Sequence, residues 1–367
     1  MRLKEVSRSE LVEQYIMENI VAARNPGDRI PSEAALSKEI GVAVPTVNKI
    51  LASLTDRGIL FRKKGLGTYV AEQSPKGKVV RVITQSAKKY IPGSTVNWFN
   101  YQYVLEGFSR TAREYGIITE TFFFDHYRPV NRETLDELLA PGAEGYLYHP
   151  VLESDWAWAE ELGKAGKIVL ARSYKTTPLC HTVCSGLKAP YMEALSYLKK
   201  QGRRHLLFFH EPVHATGYAE EHWKDFHDAA DAVGLEFAPE YHKECGLLEK
   251  DGYTAMKEVL QSGLPVDAVI GGTDSRTFGI MHALQEAGKS IPDDIAVIGA
   301  DDLPQCADQL PPLATITYPM YEIGAELCRI FVQALKENNR QIINSEVKRE
   351  FIWRESAGEK ESFTPCT

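Results

Sequence analysis

Cysteine is sparse in this chain: Cys180, Cys184, Cys245, Cys306, Cys328 and Cys366 are all there are in 367 residues, and no two form a CxxC pair. That excludes a disulfide scaffold and leaves reduced, structural thiols as the expectation. Metal-ligating residues gather twice, as Cys180-His181 with Cys184 and as His205, His210, His214, His222 and His227. Neither run has the four-ligand spacing of a zinc site, so neither a metal nor a cofactor is expected. Long apolar runs are also missing. The longest are of the size of "LLFF", Leu206–Phe209, far too short to span a bilayer, and the polar start "MRLKEVSRSE" has no secretory pattern. A cytoplasmic protein without membrane contact is the expectation. The common catalytic signatures are absent as well: there is no GxSxG elbow, P-loop, HExxH or GxGxxG, and no enzyme is expected.

What is present is an uneven distribution of charge. Residues 1–72 carry eleven Lys and Arg against nine Asp and Glu, an excess of +2, leaving −10 on the rest of a chain whose total is −8. A mildly basic head on an acidic body suits a head that meets a polyanion. At this length two or three domains are expected.

The head reads as a compact unit. Ser7 or Ser9 can cap a first helix whose apolar stripe is Val12, Ile16 and Ile20. "NPGDRIP", Asn25–Pro31, is a turn and connector, since Pro26 and Pro31 lack amide donors and Gly27 permits a tight bend. Ser32 caps a short second helix that Gly41 stops. A third helix starts near Pro45, turns Val47, Ile50, Leu51 and Leu54 to the core, and ends at Gly58. "ILFRKKGLGTYV" then makes two strands about Lys64-Gly65-Leu66-Gly67. Three helices and a wing fit a winged helix-turn-helix, whose third helix enters the major groove while wing lysines reach phosphates. A small helical docking domain is the other reading of the same pattern.

The motifs "PGDRIPSEAALSKEIGV", "TVNKILASLTDRGIL" and "KGLGTYV" resemble, in order and spacing, the DNA-binding domain of GntR-type transcription regulators over residues 8–71. The resemblance implies a winged helix that binds double-stranded operator DNA as a dimer. Its contacts would come from Ser32, Pro45, Thr46, Asn48, Lys49, Lys63, Lys64, Gly65, Gly67 and Thr68. Where the family has arginines, this chain has Ala34, Val44 and Asn48. Asn48 suits adenine rather than guanine, so the operator should depart from the family average.

Residues 73–78, "QSPKGK", read as a linker, and residues 359–367 as a tail. Between them, over 79–358, short β-rich runs such as "KVVRVIT", "EGYLYHP", "KIVLARS", "HLLFFHE", "DAVIGG" and "IAVIGADD" alternate with helical segments. That pattern predicts an α/β body with parallel sheets in two lobes. Ligands in such sheets meet loops at the carboxyl ends of strands. The rule selects Gln85, Ser86, His149, Arg172, Glu211, Asp274 and the pair Asp301-Asp302, with the aromatics Trp98 and Tyr101 in an adjoining segment. Acids, an arginine and aromatic faces together suit a polyhydroxylated ring, although Trp98 reads equally well as core.

Val266–Leu327, with "WRESAG" at Trp353–Gly358, resembles the effector-binding half of LacI/GalR-type regulators. It implies a periplasmic-binding-protein-like fold whose crossovers should lie near 170–174, 299–303 and 315–319. Asp274 falls on that family's effector-contacting aspartate and His222 on its effector-contacting arginine. A GntR-type head on a LacI-type body is the layout of arabinose-repressor-type regulators. The combination implies a homodimeric repressor of carbohydrate-utilisation genes controlled by a small sugar in the interlobe cleft. A transport-type sugar-binding protein and an enzyme built on the α/β body are the alternatives.

Overall fold

The computed structural model describes residues 8–21, 23–56, 59–71, 76–85, 95–124, 132–148, 156–213, 217–338 and 341–358. In the head, α1 (Arg8–Tyr15) runs on into a π-helical stretch, Ile16–Val21, and is followed by α2 (Glu33–Ile40) and α3 (Val44–Asp56). Ser32 caps α2 by accepting the Ala35 amide at 3.2 Å, and Gly41 ends the helix at φ 74°, where a side chain would be strained. The wing is the antiparallel pair β1 (Leu60–Lys63) and β2 (Gly67–Val70), registered Leu60 to Val70 and Lys63 to Gly67. Val12, Ile16, Leu36, Val47, Leu51 and Leu54 close one small core.

The body begins at β3 (Val79–Gln85), continuing through α4 (Thr95–Glu114), β4 (Ile118–Phe124), α5 (Arg132–Leu138), β5 (Gly145–Tyr148), α6 (Trp156–Lys164), β6 (Ile168–Arg172) and β7 (His181–Cys184). With β13 (Asn344–Glu346), these strands form a six-stranded sheet in the order β13-β7-β6-β5-β3-β4. Every pairing in it is parallel. Gly145 to Tyr148 are buried throughout, as expected of strands covered on both faces. One face packs on α4 and α11 (Met320–Lys336), the other on α5 and α6.

The second lobe holds α7 (Lys188–Lys200), β8 (Leu206–His210), α8 (Gly217–Ala232), β9 (His242–Glu244), α9 (Glu249–Ser262), β10 (Ala268–Ile270), α10 (Asp274–Glu286) and β11 (Ala296–Ile298). Its parallel sheet runs β11-β10-β8-β9. A short antiparallel pair, β12 (Thr315–Ile316) with β14 (Phe351–Ile352), completes the lobe.

The chain passes between lobes where residues change core. Cys184 ends a strand of the first sheet while Leu187 packs in the second lobe, so the first crossing is 185–187. Ile316 belongs to the second core and Met320 to the first, which places the return at 317–319. Val347 packs on the first core and Phe351 on the second, so the last crossing is 347–350. Two expected crossovers are therefore corrected. Residues 170–174 stay in the first lobe, because the polar strand β7 follows β6 in the same sheet. Residues 299–303 stay in the second, where Gly299 and Asp301 donate their amides to Ala314 and Ile316.

Candidate functional site

In the head, Pro45, Asn48 and Lys49 are exposed on α3 and Thr46 is half-buried, opposite the face that Val47, Ile50 and Leu51 bury. Helical spacing separates the two faces. Asn48 is not free-standing. Its Oδ1 accepts from Arg62 Nη2 at 3.0 Å, and the same nitrogen pairs with Glu33 Oε1 at 3.0 Å. Arg62, on β1, thus ties wing, second helix and third helix together, a role nothing in the local sequence announces. Lys63 Nζ lies 4.9 Å from the Tyr69 ring centroid and 5.5 Å from that of Phe61, rings that stack on each other at 5.5 Å. Lys64 and Gly65 are exposed at the turn, while Gly67 and Thr68 are partly covered. Gly67 has φ 120°, a conformation that a residue with a Cβ would hold only under strain, so the wing needs glycine there. Ser32 uses its hydroxyl as the α2 cap.

In the body the three crossings converge on one side chain. Arg349, on the last crossing, is only 6% exposed. Its Nε donates to Ser185 O at 2.9 Å and Ser185 Oγ at 2.6 Å on the first crossing, and its guanidinium lies 3.8 Å from the Tyr318 ring centroid on the second. Nη2 donates to the Tyr174 hydroxyl at 3.3 Å, which itself donates to Ser185 O at 2.6 Å. Arg172, at the end of β6, places its guanidinium 5.5 Å from the Tyr318 ring and 5.6 Å from Tyr218 on α8. Tyr218 and Tyr318 stack at 6.3 Å.

Across from these, at the carboxyl ends of the second lobe's strands, stand Glu211, Asp274 and Asp301. Burial pushes each of their carboxyls above the usual range. For Asp301 the neighbouring Asp274 adds to the effect, and Arg349 opposes it. Asp301 and Asp302 both have positive φ, 134° and 54°. Strain at two consecutive non-glycine residues marks a turn held by its surroundings. Arg276, fully buried, donates to the carbonyls of Gly271 at 2.6 Å, Phe209 at 3.2 Å and Cys245 at 3.3 Å, stitching these strand ends together.

Of the residues selected from sequence, the structure brings Arg172, Glu211 and His222 towards this interlobe centre. His222 is buried, stacked on Tyr191 and hydrogen-bonded to its hydroxyl, and burial beside Arg276 and Arg349 holds the imidazole neutral, well below its ordinary range. Two others bond within the chain. Asp274 is wholly buried, its Oδ1 accepting from Thr315 Oγ1 at 2.7 Å and its Oδ2 from the Leu303 amide at 2.8 Å, so each oxygen is already engaged by this chain's own loops. Asp302 turns away to Arg354, 2.8 Å from Nη2. Ser86 and His149 lie outside the described residues, as do the side chains of Gln85, Trp98 and Tyr101. The sequence pattern does not single out Tyr174, Tyr218, Tyr318 or Arg349. Three of them sit in irregular or crossing segments, where no periodicity marks a residue.

Several buried polar atoms here make no hydrogen bond: Glu211 Oε2, Thr273 Oγ1, Tyr318 OH and Arg349 Nη1. Buried polar atoms are nearly always paired, so their convergence marks a place built to meet a ligand. A separate cavity of about 380 Å³ lies between Tyr174, Cys184, Lys188, Met192, Asp225 and Glu346. Its carboxylates are occupied structurally: Asp225 accepts the Leu187 amide at 2.7 Å and Glu346 the Gly186 amide at 3.2 Å, which fastens the first crossing. Among the described residues no group of three or more His, Cys, Asp or Glu is placed to hold a metal, and no helix is long and apolar enough to cross a membrane.

Comparison with known proteins agrees with this anatomy. Residues 8–70 match the family of bacterial regulatory proteins named for gntR, and residues 195–357 match the periplasmic binding protein-like domain. The arabinose metabolism transcriptional repressor of Geobacillus stearothermophilus is 22% identical over 98% of this chain and 100% of its own length. The lactose operon repressor of Rhizobium radiobacter is 36% identical over 29% of this chain and 93% of that sequence. The ribose operon repressor of Bacillus subtilis (strain 168) is 35% identical over 24% of this chain, and the chain spans only 27% of that relative. In three dimensions the transcriptional regulator CelR–cellobiose complex superposes with a TM-score of 0.64 at 17% identity, covering 89% of this chain and 99% of CelR. The lac repressor dimer bound to operator and the anti-inducer ONPF also gives 0.64, at 16% identity, over 78% of this chain and 96% of that one. Head and body each match a regulator family, and the chain belongs to the regulators that join a gntR-family winged-helix head to a LacI-type, periplasmic-binding-protein-like body.

Proposed function

We propose that this protein is a sequence-specific transcription regulator, a cytoplasmic homodimeric repressor of carbohydrate-utilisation genes, released from operator DNA by a small sugar bound between its lobes. The observation that carries the reading is that unpaired buried polar atoms lie both on the crossings, at Tyr318 and Arg349, and at the second lobe's strand ends, at Glu211 and Thr273, in a two-lobed body joined to a winged helix. A ligand that satisfies Arg349, Tyr318 and Glu211 together must touch both lobes, and so favours one lobe arrangement over another. The regulators it resembles act on sugar operons, which supplies the ligand class. On the head, α3 would present Thr46, Asn48 and Lys49 to the major groove while Lys63, Lys64 and the Gly65–Gly67 turn meet phosphates. Dimerisation through the body would set the spacing of two half-sites.

The role is one of binding rather than turnover. Among the described residues of the centre His222 is committed to Tyr191, and Asp274 to Thr315 and Leu303, which leaves no nucleophile–base pair there. Selection of bound duplexes from a random DNA pool, followed by anisotropy titration with and without a panel of sugars, tests the proposal. A preferred sequence whose affinity falls when one sugar is present is the expected result. Equal affinities throughout the panel would remove the sugar-controlled mechanism.

A further inference from the structure

The interlobe centre concentrates guanidinium groups, with the unpaired Glu211 Oε2, Thr273 Oγ1 and Tyr318 hydroxyl as the oxygens near them. Arg172 and Arg349 both bring their guanidinium groups to the Tyr318 ring, at 5.5 and 3.8 Å from its centroid. The hydroxyls of Tyr174, Tyr218 and Tyr318 surround them, and Arg276 adds a third guanidinium behind Glu211. Arg349 is buried and fixed on one edge by Ser185; its Nη1 has no partner at full hydrogen-bond geometry, and the Tyr218 hydroxyl interacts with the guanidinium. Arginine cannot shed its proton, so this buried charge persists at any physiological pH.

Resting on the sugar-effector reading above, we infer that the cleft takes an anionic sugar, one bearing a phosphate or carboxylate group, with the anion seated against Arg349 and Arg172 and the ring's hydroxyls meeting Glu211 and the tyrosines. A guanidinium fork offers paired N–H donors that match the oxygens of phosphate or carboxylate, while a neutral sugar leaves the charge uncompensated. The carboxyls facing the arginines do not neutralise them fully: burial drives those of Glu211 and Asp301 towards their protonated, donor forms. The acidic total of the body does not contradict this, because the field at a buried centre is set by the groups lining it and distant surface charges are screened.

The test is calorimetric titration of the full-length protein, at constant ionic strength, with matched sets: a neutral pentose or hexose, its phosphate ester, the corresponding uronate, and inorganic phosphate alone. The expected result is that one anionic member binds at least about tenfold more tightly than its neutral parent, the scale of one charge-assisted pair. Either the phosphate or the uronate arm satisfies the inference and identifies the anion. Arg349→Gln should cut that preference to near unity. Because Arg349 also fastens the crossings, Arg172→Gln serves as a second variant, with operator binding in the absence of sugar as the check on folding, and should reduce the preference several-fold. A neutral sugar that binds as well as or better than its anionic forms overturns the inference and leaves the sugar-effector reading standing. No binding by any member overturns both.

Discussion

At the scale of single residues, the structure separates groups that hold the protein together from groups left to meet a ligand. Asp274 belongs to the first kind. Its carboxylate fastens the loop after β11 through the Leu303 amide and the Thr315 hydroxyl. Asp274→Ala leaves the buried Thr315 hydroxyl and the partly buried Leu303 amide without their acceptor, and an unpaired buried donor costs about 1–3 kcal/mol. The expected outcome is a lower urea midpoint together with weakened effector binding, whereas a residue that only touched ligand would leave the midpoint unchanged. A second expectation concerns Trp223, whose ring lies 4.1 Å from that of His227, 4.5 Å from His210 and 4.7 Å from His242. Burial, reinforced by His227 and His210, brings His242 down from 6.5 to about 4. The unfolded chain therefore binds a proton at that residue between these pH values and the folded chain does not. This contribution to stability is intact above pH 6.5 and is lost as pH falls towards 4. Glu211 and Asp301, with raised carboxyls, act in the opposite sense, favouring the fold as pH falls through their folded values. They are common to wild type and His242→Gln, so the comparison isolates the histidine: the fall in urea midpoint between pH 7.5 and 5.5 should be smaller in the variant.

Secondary-structure elements are the most legible level. Pro26, Gly27, Ser32, Gly41 and Pro45 punctuate the head so densely that its helices and wing follow from turn and cap chemistry. The strands of the body announce themselves as buried apolar runs. What stays hidden is short and polar: "HTVC" continues the first sheet as β7 and "NSE" edges it as β13, although neither has the composition of a strand. With β7 hidden, the pattern sets the first crossing too early. The centre is less legible still, because Arg349 and Tyr318 matter through what three distant segments bring together. Two predictions belong at this level. Lys63→Ala with Lys64→Ala removes wing charge without touching the head's core, so binding to every duplex should weaken and the slope of log K against log salt should become shallower by about 0.9 for each phosphate no longer neutralised. A change in sequence preference would instead assign the wing to base recognition. In the body, α4 and α11 touch through Gly107 and Gly324, where a methyl would strike the carbonyls of Tyr321 and Val104. Gly324→Ala should drive the helices apart and cost about 1–3 kcal/mol in a denaturant titration.

For the whole molecule, the question is how a ligand between the lobes reaches DNA held by the head. The crossings at 185–187, 317–319 and 347–350 are the only covalent connections between the lobes among the described residues, and Arg349 touches the other two crossings through Ser185 and Tyr318. A ligand that takes up Arg349 Nη1 therefore acts where all three connections are tied, and any rotation of one lobe on the other must pass through that point. Coupling of this kind is reciprocal: the factor by which sugar changes operator affinity equals the factor by which operator changes sugar affinity, typically about 5–150-fold. Measuring both on wild type should give one number. Arg349→Met removes the tie to Ser185 and retains an apolar stem against Tyr318. If Arg349 did no more than touch the ligand, the variant would bind sugar weakly and keep the factor intact at saturating sugar. Breaking the tie as well would bring the factor towards one even when the site is filled. That second outcome is expected here, because Arg349 fastens the last crossing to the first through Ser185, so its loss loosens the element through which lobe rearrangement would have to pass.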